Sequence, residues 1–177
     1  SLPSGEFDLG GCYCFGYDQT PLHADLVSGD ATLSCRLAEG SSAGLAVLWD
    51  LPGAAKQMLS TTRMASDDTI CNLPLELARG RVHHLFSKAQ EWGLFDFTEA
   101  GELMEQVQQL HLRFIEALKH SIVDQAKAAA LAERLLPDAL ATGEAMALFH
   151  AEMLSKRKSR PEPLQIGVGV GPRDDLV

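Results

Sequence analysis

Up to residue 72 the chain consists of short apolar runs separated by turn residues; after it, apolar positions recur every three or four residues. Leu22 to Val27, then Ser28-Gly29-Asp30, then Ala31 to Leu37 predict a β-hairpin with a two- to three-residue turn, followed by the loop Glu39-Gly40-Ser41-Ser42. Leu45-Ala46-Val47-Leu48-Trp49 is apolar throughout, the pattern of a strand covered on both faces, and Gln57 to Thr62 follows the turn at Pro52-Gly53. Residues 1–72 thus read as four or five antiparallel strands, a small β-sandwich or jelly-roll-like domain.

From Asn72 the period is helical. Leu75, Val82, Leu85, Phe86 and Ala89 share one face, with Asn72 as N-cap and Gly93 as the glycine that closes the helix. Gly80 lies inside this helix at a cost of about 1 kcal/mol against alanine, which predicts another element packed closely over it. Asp96-Phe97-Thr98-Glu99 has capping-box spacing and opens a second helix, striped by Leu103, Val107, Leu110, Phe114 and Leu118. Val123 to Leu136 predicts a third helix, Pro137 a fresh start, and Asp138 to Lys158 a fourth. The expected fold is α+β, with residues 73–160 a four-helix region packed on the β-domain. Residues 161–177 read as a linker or as the first strand of a missing domain, since Leu164 to Val170 alternates like an unpaired strand.

At 177 residues and 46% apolar content the chain is long enough to bury a core without disulfide or metal staples. A net charge of −9 argues against nucleic acid as a partner, and no run of about 18 apolar residues reads as a membrane span. The first six residues lack the basic start and apolar stretch of a signal peptide. Cys12, Cys14, Cys35 and Cys71 leave three readings open: thiols in a reducing compartment, a disulfide, or a metal site.

The histidines do not assemble into catalytic or metal-binding sets. His83 and His84 point ~100° apart on a helix, and Glu116 with His120 supplies two ligands without a third. His150, beside Leu148 and Phe149, reads as a core histidine. Gly167, Gly169 and Gly171 lack the spacing of a dinucleotide loop, so no cofactor is expected. The aromatic residues say more: Tyr13, Phe15 and Tyr17 alternate, so on a strand their rings share one face. Such a row suits either sugar stacking or half of a sandwich core.

Several segments resemble, in order and spacing, the region preceding the barrel in bacterial family 10 glycoside hydrolases, the xylanase family. They are Glu76-Leu77-Ala78-Arg79-Gly80-Arg81, Glu91-Trp92-Gly93-Leu94-Phe95-Asp96-Phe97 and Leu148-Phe149-His150-Ala151-Glu152. Ser60-Thr61-Thr62-Arg63 and the stretch from Asp8 to Leu22 fit the same pattern, so the resemblance spans most of residues 8–160. It implies an accessory region and not the enzyme. Family 10 hydrolysis needs two glutamates on a (β/α)₈ barrel of about 250 residues. The family's acid/base glutamate follows an asparagine, whereas Asn72, the one asparagine here, precedes Leu73.

The expected function is therefore a non-catalytic accessory module of a xylanase-like glycoside hydrolase, binding polysaccharide or positioning a downstream catalytic barrel. The alternative is a structural or protein-interaction module without sugar affinity, including a homo-oligomer formed through the helical face; an enzyme in its own right comes third. Tyr13, Tyr17 and Trp49 are the expected sugar-stacking residues. Arg79, Arg81, Trp92, Phe95 and Phe97 are expected to pack the two parts together, with at least one of the arginines bonded to the β-domain. Compartment stays open, because export is common among xylanases while the cysteines favour a reducing one.

Overall fold

A computed structural model describes residues 9–29, 32–37, 42–51, 55–65 and 70–157. The expectations for residues 161–177 lie outside them. Among the described residues six strands precede three α-helices: β1 (Tyr13–Phe15), β2 (Pro21–Leu22), β3 (Ala24–Gly29), β4 (Thr32–Leu37), β5 (Gly44–Trp49), β6 (Gln57–Ser60), α1 (Leu73–Glu91), α2 (Gly101–His120) and α3 (Gln125–Arg157). One sheet has four strands in the order β2-β1-β5-β6, and β3 pairs with β4 in a separate two-stranded sheet. All pairings are antiparallel. The fold is α+β, as the switch in periodicity implies; neither a clear sandwich nor a four-helix region forms.

Register sorts the sheet into two faces, because residues directly opposite each other project to the same side. Cys14 lies opposite Leu22 and Leu45, and Val47 opposite Leu59, which assigns Cys14, Leu45, Val47, Trp49 and Leu59 to an inner face. All five are buried in a cluster that continues through Leu75, Leu77, Val82 and Leu85 of α1 into α2 and α3. Sheet and helices thus share one contiguous core. The hairpin turns its own alternating face, with Ala24, Leu26, Leu33 and Leu37, against this core.

The ends of α1 follow from their residues. The Asn72 side chain accepts from Leu75 N–H, and Gly93 adopts φ +63°, the left-handed conformation open to glycine after a helix. Within α1, Gly80 sits against the Ser60 carbonyl oxygen and the Thr61 backbone, so the close approach expected from its sequence position is present. Thr61 is buried beside it, and its hydroxyl accepts from Leu45 N–H at 3.0 Å and donates to Thr62 O at 2.7 Å.

Three corrections concern the helices. The third and fourth expected helices are one 33-residue helix with Pro137 inside it. Proline there removes the N–H that would bond the Glu133 carbonyl, at about 3 kcal/mol. The buried series Ala128, Ala132, Leu135, Leu136, Ala139 and Met146 stays in helical phase through it, so packing against α1 and α2 on both sides of the proline outweighs that cost. Second, α2 begins at Gly101; the Asp96 to Glu99 segment lies in two 3₁₀ turns, Leu94–Asp96 and Thr98–Ala100, and makes no capping box. Third, Phe95 is 59% exposed, while Leu94 is buried and Trp92 and Phe97 are half-buried. The tight turn after Gly93 points residues 94 and 97 inward and residue 95 out.

Phe86 meets His111 and Arg79 lies over Phe114, so α1 and α2 run antiparallel, as their short connection implies. Asn72 bonds Gln125, Arg81 bonds the Ala139 and Leu140 carbonyls, and Trp92 stacks on His150, so α1 and α3 run parallel.

Candidate binding face of the sheet

The side of the four-stranded sheet turned away from the helices carries the candidate site. Tyr13 lies opposite Ala46 and Phe15 opposite Gly44, while Leu48 lies opposite Met58, so these residues share the outer face. A Cβ at Gly44 would fall inside the Phe15 ring, which therefore lies directly over the β5 backbone. Ala46, opposite Tyr13, is 2% exposed and lies outside the continuous core. Tyr13 meets Phe15 edge to face at 6.4 Å between centroids, and at 40% exposure it keeps much of its ring in solvent. Met58, 46% exposed, continues the apolar surface on β6.

Tyr17 lies just beyond β1, in a turn. Gly16 N–H donates to Thr20 O, and the Thr20 N–H and hydroxyl donate to Asp18 Oδ1 at 3.2 and 2.6 Å. The Thr20 hydroxyl bond, followed by the backbone bond, holds the Asp18 carboxyl below its ordinary value. This turn sets Tyr17 out at 84% exposure, with the Arg63 guanidinium 4.7 Å from its ring centre. One ring face thus meets a cation, an arrangement that holds an exposed ring in place. Arg63 also donates to Ser42 Oγ at 3.4 Å.

Of the three residues expected to stack on sugar, Tyr13 and Tyr17 are exposed and Trp49 is not. Trp49 sits opposite Gln57 on the inner face, 5% exposed, and presents no ring to solvent. Among the described residues, neither arginine is seen to bond the β-domain. Arg79 pairs with Glu76 one turn away at 3.0 Å, whereas Arg81 crosses to α3, where its guanidinium lies over Gly143 and donates to the Ala139 and Leu140 carbonyls at 3.3 and 3.5 Å. Contact between sheet and helix at this point is backbone against backbone at Gly80, which leaves no room for a side chain to mediate it.

A groove of about 560 Å³ between α1, α3 and the sheet edge brings together Gln57, Arg81, His84, Lys88, Trp92 and Glu144. Burial, and after it the Arg81 and Lys88 cations, hold His84 below its ordinary value, so its neutral form is favoured. Stacking here is restricted: His150 covers a Trp92 face at 4.7 Å and 8°, and Lys88 Nζ lies 5.6 Å from the same ring. Arg81, His84 and Lys88 of α1, with Trp92 at its C-cap, recur at helical spacing, whereas Gln57 and Glu144 come from distant segments that no local spacing joins to them. Among the described residues no three His, Cys, Asp or Glu side chains converge as metal ligands. No family profile, curated protein or solved structure matches the chain.

Proposed function

We propose that this chain is a non-catalytic accessory module of a xylanase-like glycoside hydrolase, and that it holds polysaccharide against the outer face of its four-stranded sheet. The observation that carries this is the exposure of two rings close in the chain, Tyr13 at 40% on the outer face of β1 and Tyr17 at 84% in the turn that follows β1. Pyranose rings present apolar C–H faces that stack on such surfaces, each aromatic contact contributing about 0.5–1.5 kcal/mol beyond burial. Binding through two rings is therefore weak, and a neutral glycan makes it insensitive to salt. The xylanase setting rests on the segments that resemble the region before the family 10 barrel.

Affinity electrophoresis through gels containing xylan, mannan or soluble cellulose tests the proposal. Retardation in at least one gel, reduced in Tyr13→Ala and lost in Tyr13→Ala/Tyr17→Ala, is the expected result. Unretarded migration in all three favours the second role, a docking module that positions a catalytic barrel. That role has its own observation on the helical side, where Phe95, Leu148 and Leu154 are 59%, 65% and 46% exposed.

A further inference from the structure

Arg81 carries its charge into the groove between α1, α3 and the edge strand β6 without an acid to meet it. The side chain is half-buried; its Nε–H donates to the Ala139 carbonyl at 3.3 Å and an Nη2–H to the Leu140 carbonyl at 3.5 Å. Both bonds are long, and both use the one edge of the guanidinium that faces α3. Gly143 makes that seat possible, since a Cβ there would take the place of Nη2. Among the described residues no carboxylate pairs with Arg81: Glu76 is taken by Arg79, Glu91 by Lys88, and Glu144, which also borders the groove, is not bonded to it.

We propose that this groove binds a small organic carboxylate, held by the edge of the Arg81 guanidinium that α3 leaves unused. That edge carries Nη1 and Nη2, whose parallel N–H groups match both oxygens of a carboxylate. The rest of the groove suits the body of such a molecule. Its volume of about 560 Å³ falls within the range of small-molecule sites, about 300–1,000 Å³. Leu51, Leu140 and Ala147 give it apolar walls, and Gln57 and His84 place hydrogen-bonding groups at its border.

Charge favours an anion at this place. The chain as a whole carries −9, whereas Arg81 and Lys88 face a single acid, Glu144, around the groove. Burial holds Arg81 below its ordinary value, so its charge bears a desolvation cost that a bound carboxylate offsets. His84 registers the same field, held down first by burial and then by the Arg81 cation. Lys88 is already paired with Glu91 at 2.6 Å, which leaves Arg81 as the anchor. An open site with one anchoring charge binds weakly, with a Kd on the order of 1 mM. It lies apart from the outer face of the sheet, so it stands or falls independently of polysaccharide binding there.

The full chain, isotope-labelled for NMR, is titrated with sodium benzoate and with sodium glucuronate, an aromatic and a sugar acid. Benzyl alcohol, glucose and sodium chloride at matched ionic strength serve as controls. Expected are saturable shifts of the Arg81, His84 and Gly143 amides with at least one of the two carboxylates, and none with the controls. Arg81→Met, with unchanged circular dichroism, weakens binding at least about tenfold. Ala147→Phe fills the groove from an exposed helix position, leaves Arg81 in place and has the same effect. Tyr13→Ala/Tyr17→Ala binds as wild type does. No saturable shift with either carboxylate, an equal response to the neutral analogues or to chloride, or undiminished binding in Ala147→Phe overturns the proposal.

Discussion

Replacing Gly80 with alanine sets two effects of opposite sign against each other. Gly80 lies in the interior of α1, where alanine is favoured by about 1 kcal/mol through helix propensity alone. The added Cβ, however, enters the space of the Ser60 carbonyl oxygen and lies 3.0 Å from the Ser60 and Thr61 carbonyl carbons. These are backbone atoms. They are fixed by the β5–β6 ladder and by the Thr61 N–H bond to Leu45 O at 2.9 Å, so no side-chain rotation relieves the overlap. Either α1 moves off β6 or β6 moves off β5. Overpacking of this kind costs about 1–3 kcal/mol, and rigid neighbours place it at the upper end. The net expectation for Gly80→Ala is a loss of about 1–2 kcal/mol, read as a lower urea midpoint with unchanged slope. Gly101→Ala is the control. It lies in the first turn of α2 with nothing near the added Cβ, and is expected to leave stability unchanged or raise it by up to about 1 kcal/mol. If Gly80→Ala proved as stable as wild type, the docking of α1 on β6 described here would be wrong.

Other substitutions separate side chains that look alike in sequence. Arg81→Met removes both bonds to the α3 carbonyls and is expected to cost about 1–2 kcal/mol in urea unfolding, whereas Arg79→Ala, which loses a partly exposed pair with Glu76 and a contact with the Phe114 ring, costs about 1 kcal/mol or less. Leu94→Ala is expected to cost about 2–5 kcal/mol, and the exposed neighbour Phe95→Ala no more than about 0.5 kcal/mol. His84 is depressed below its ordinary 6.5, so the unfolded chain takes up its proton first as pH falls. Its contribution is complete above that value and is lost as pH drops through the folded one; urea midpoints at about pH 7.5 and about pH 5 should therefore differ less in His84→Gln than in wild type.

What could be read from the sequence was local. Ser28-Gly29-Asp30 between two alternating runs marks the hairpin, and Asn72 with Gly93 marks both ends of α1, because turn and cap chemistry acts over a few residues. Gly80 was informative in a different way: a glycine where alanine is better has to be explained by something outside the helix, and Ser60 is that something. Pro137 misled for the converse reason. Its local cost is real, but packing along both halves of α3 exceeds it, and that packing involves residues dozens of positions away. Phe95 and Leu94 are adjacent and both apolar; only the turn geometry set by Gly93 separates their exposure. Arg81 reaches α3 instead of the sheet because α1 and α3 run parallel, an orientation that no spacing within either helix encodes.

The rings of Tyr13 and Phe15 and the thiol of Cys14 depend on the same register. Successive residues of β1 point to opposite sides, so the pairing of Cys14 with Leu45 sends the sulfur into the core and both rings to the outer face. β5 is shaped to match: its outer positions beside the rings are Gly44 and Ala46, and its inner ones are Leu45, Val47 and Trp49. A slip of one residue that set Phe15 opposite Leu45 would set Cys14 opposite Ala46, driving the ring into the apolar core and the thiol out to the other face. Small residues on one side of β5 and large ones on the other therefore hold both features in place through a single strand pairing.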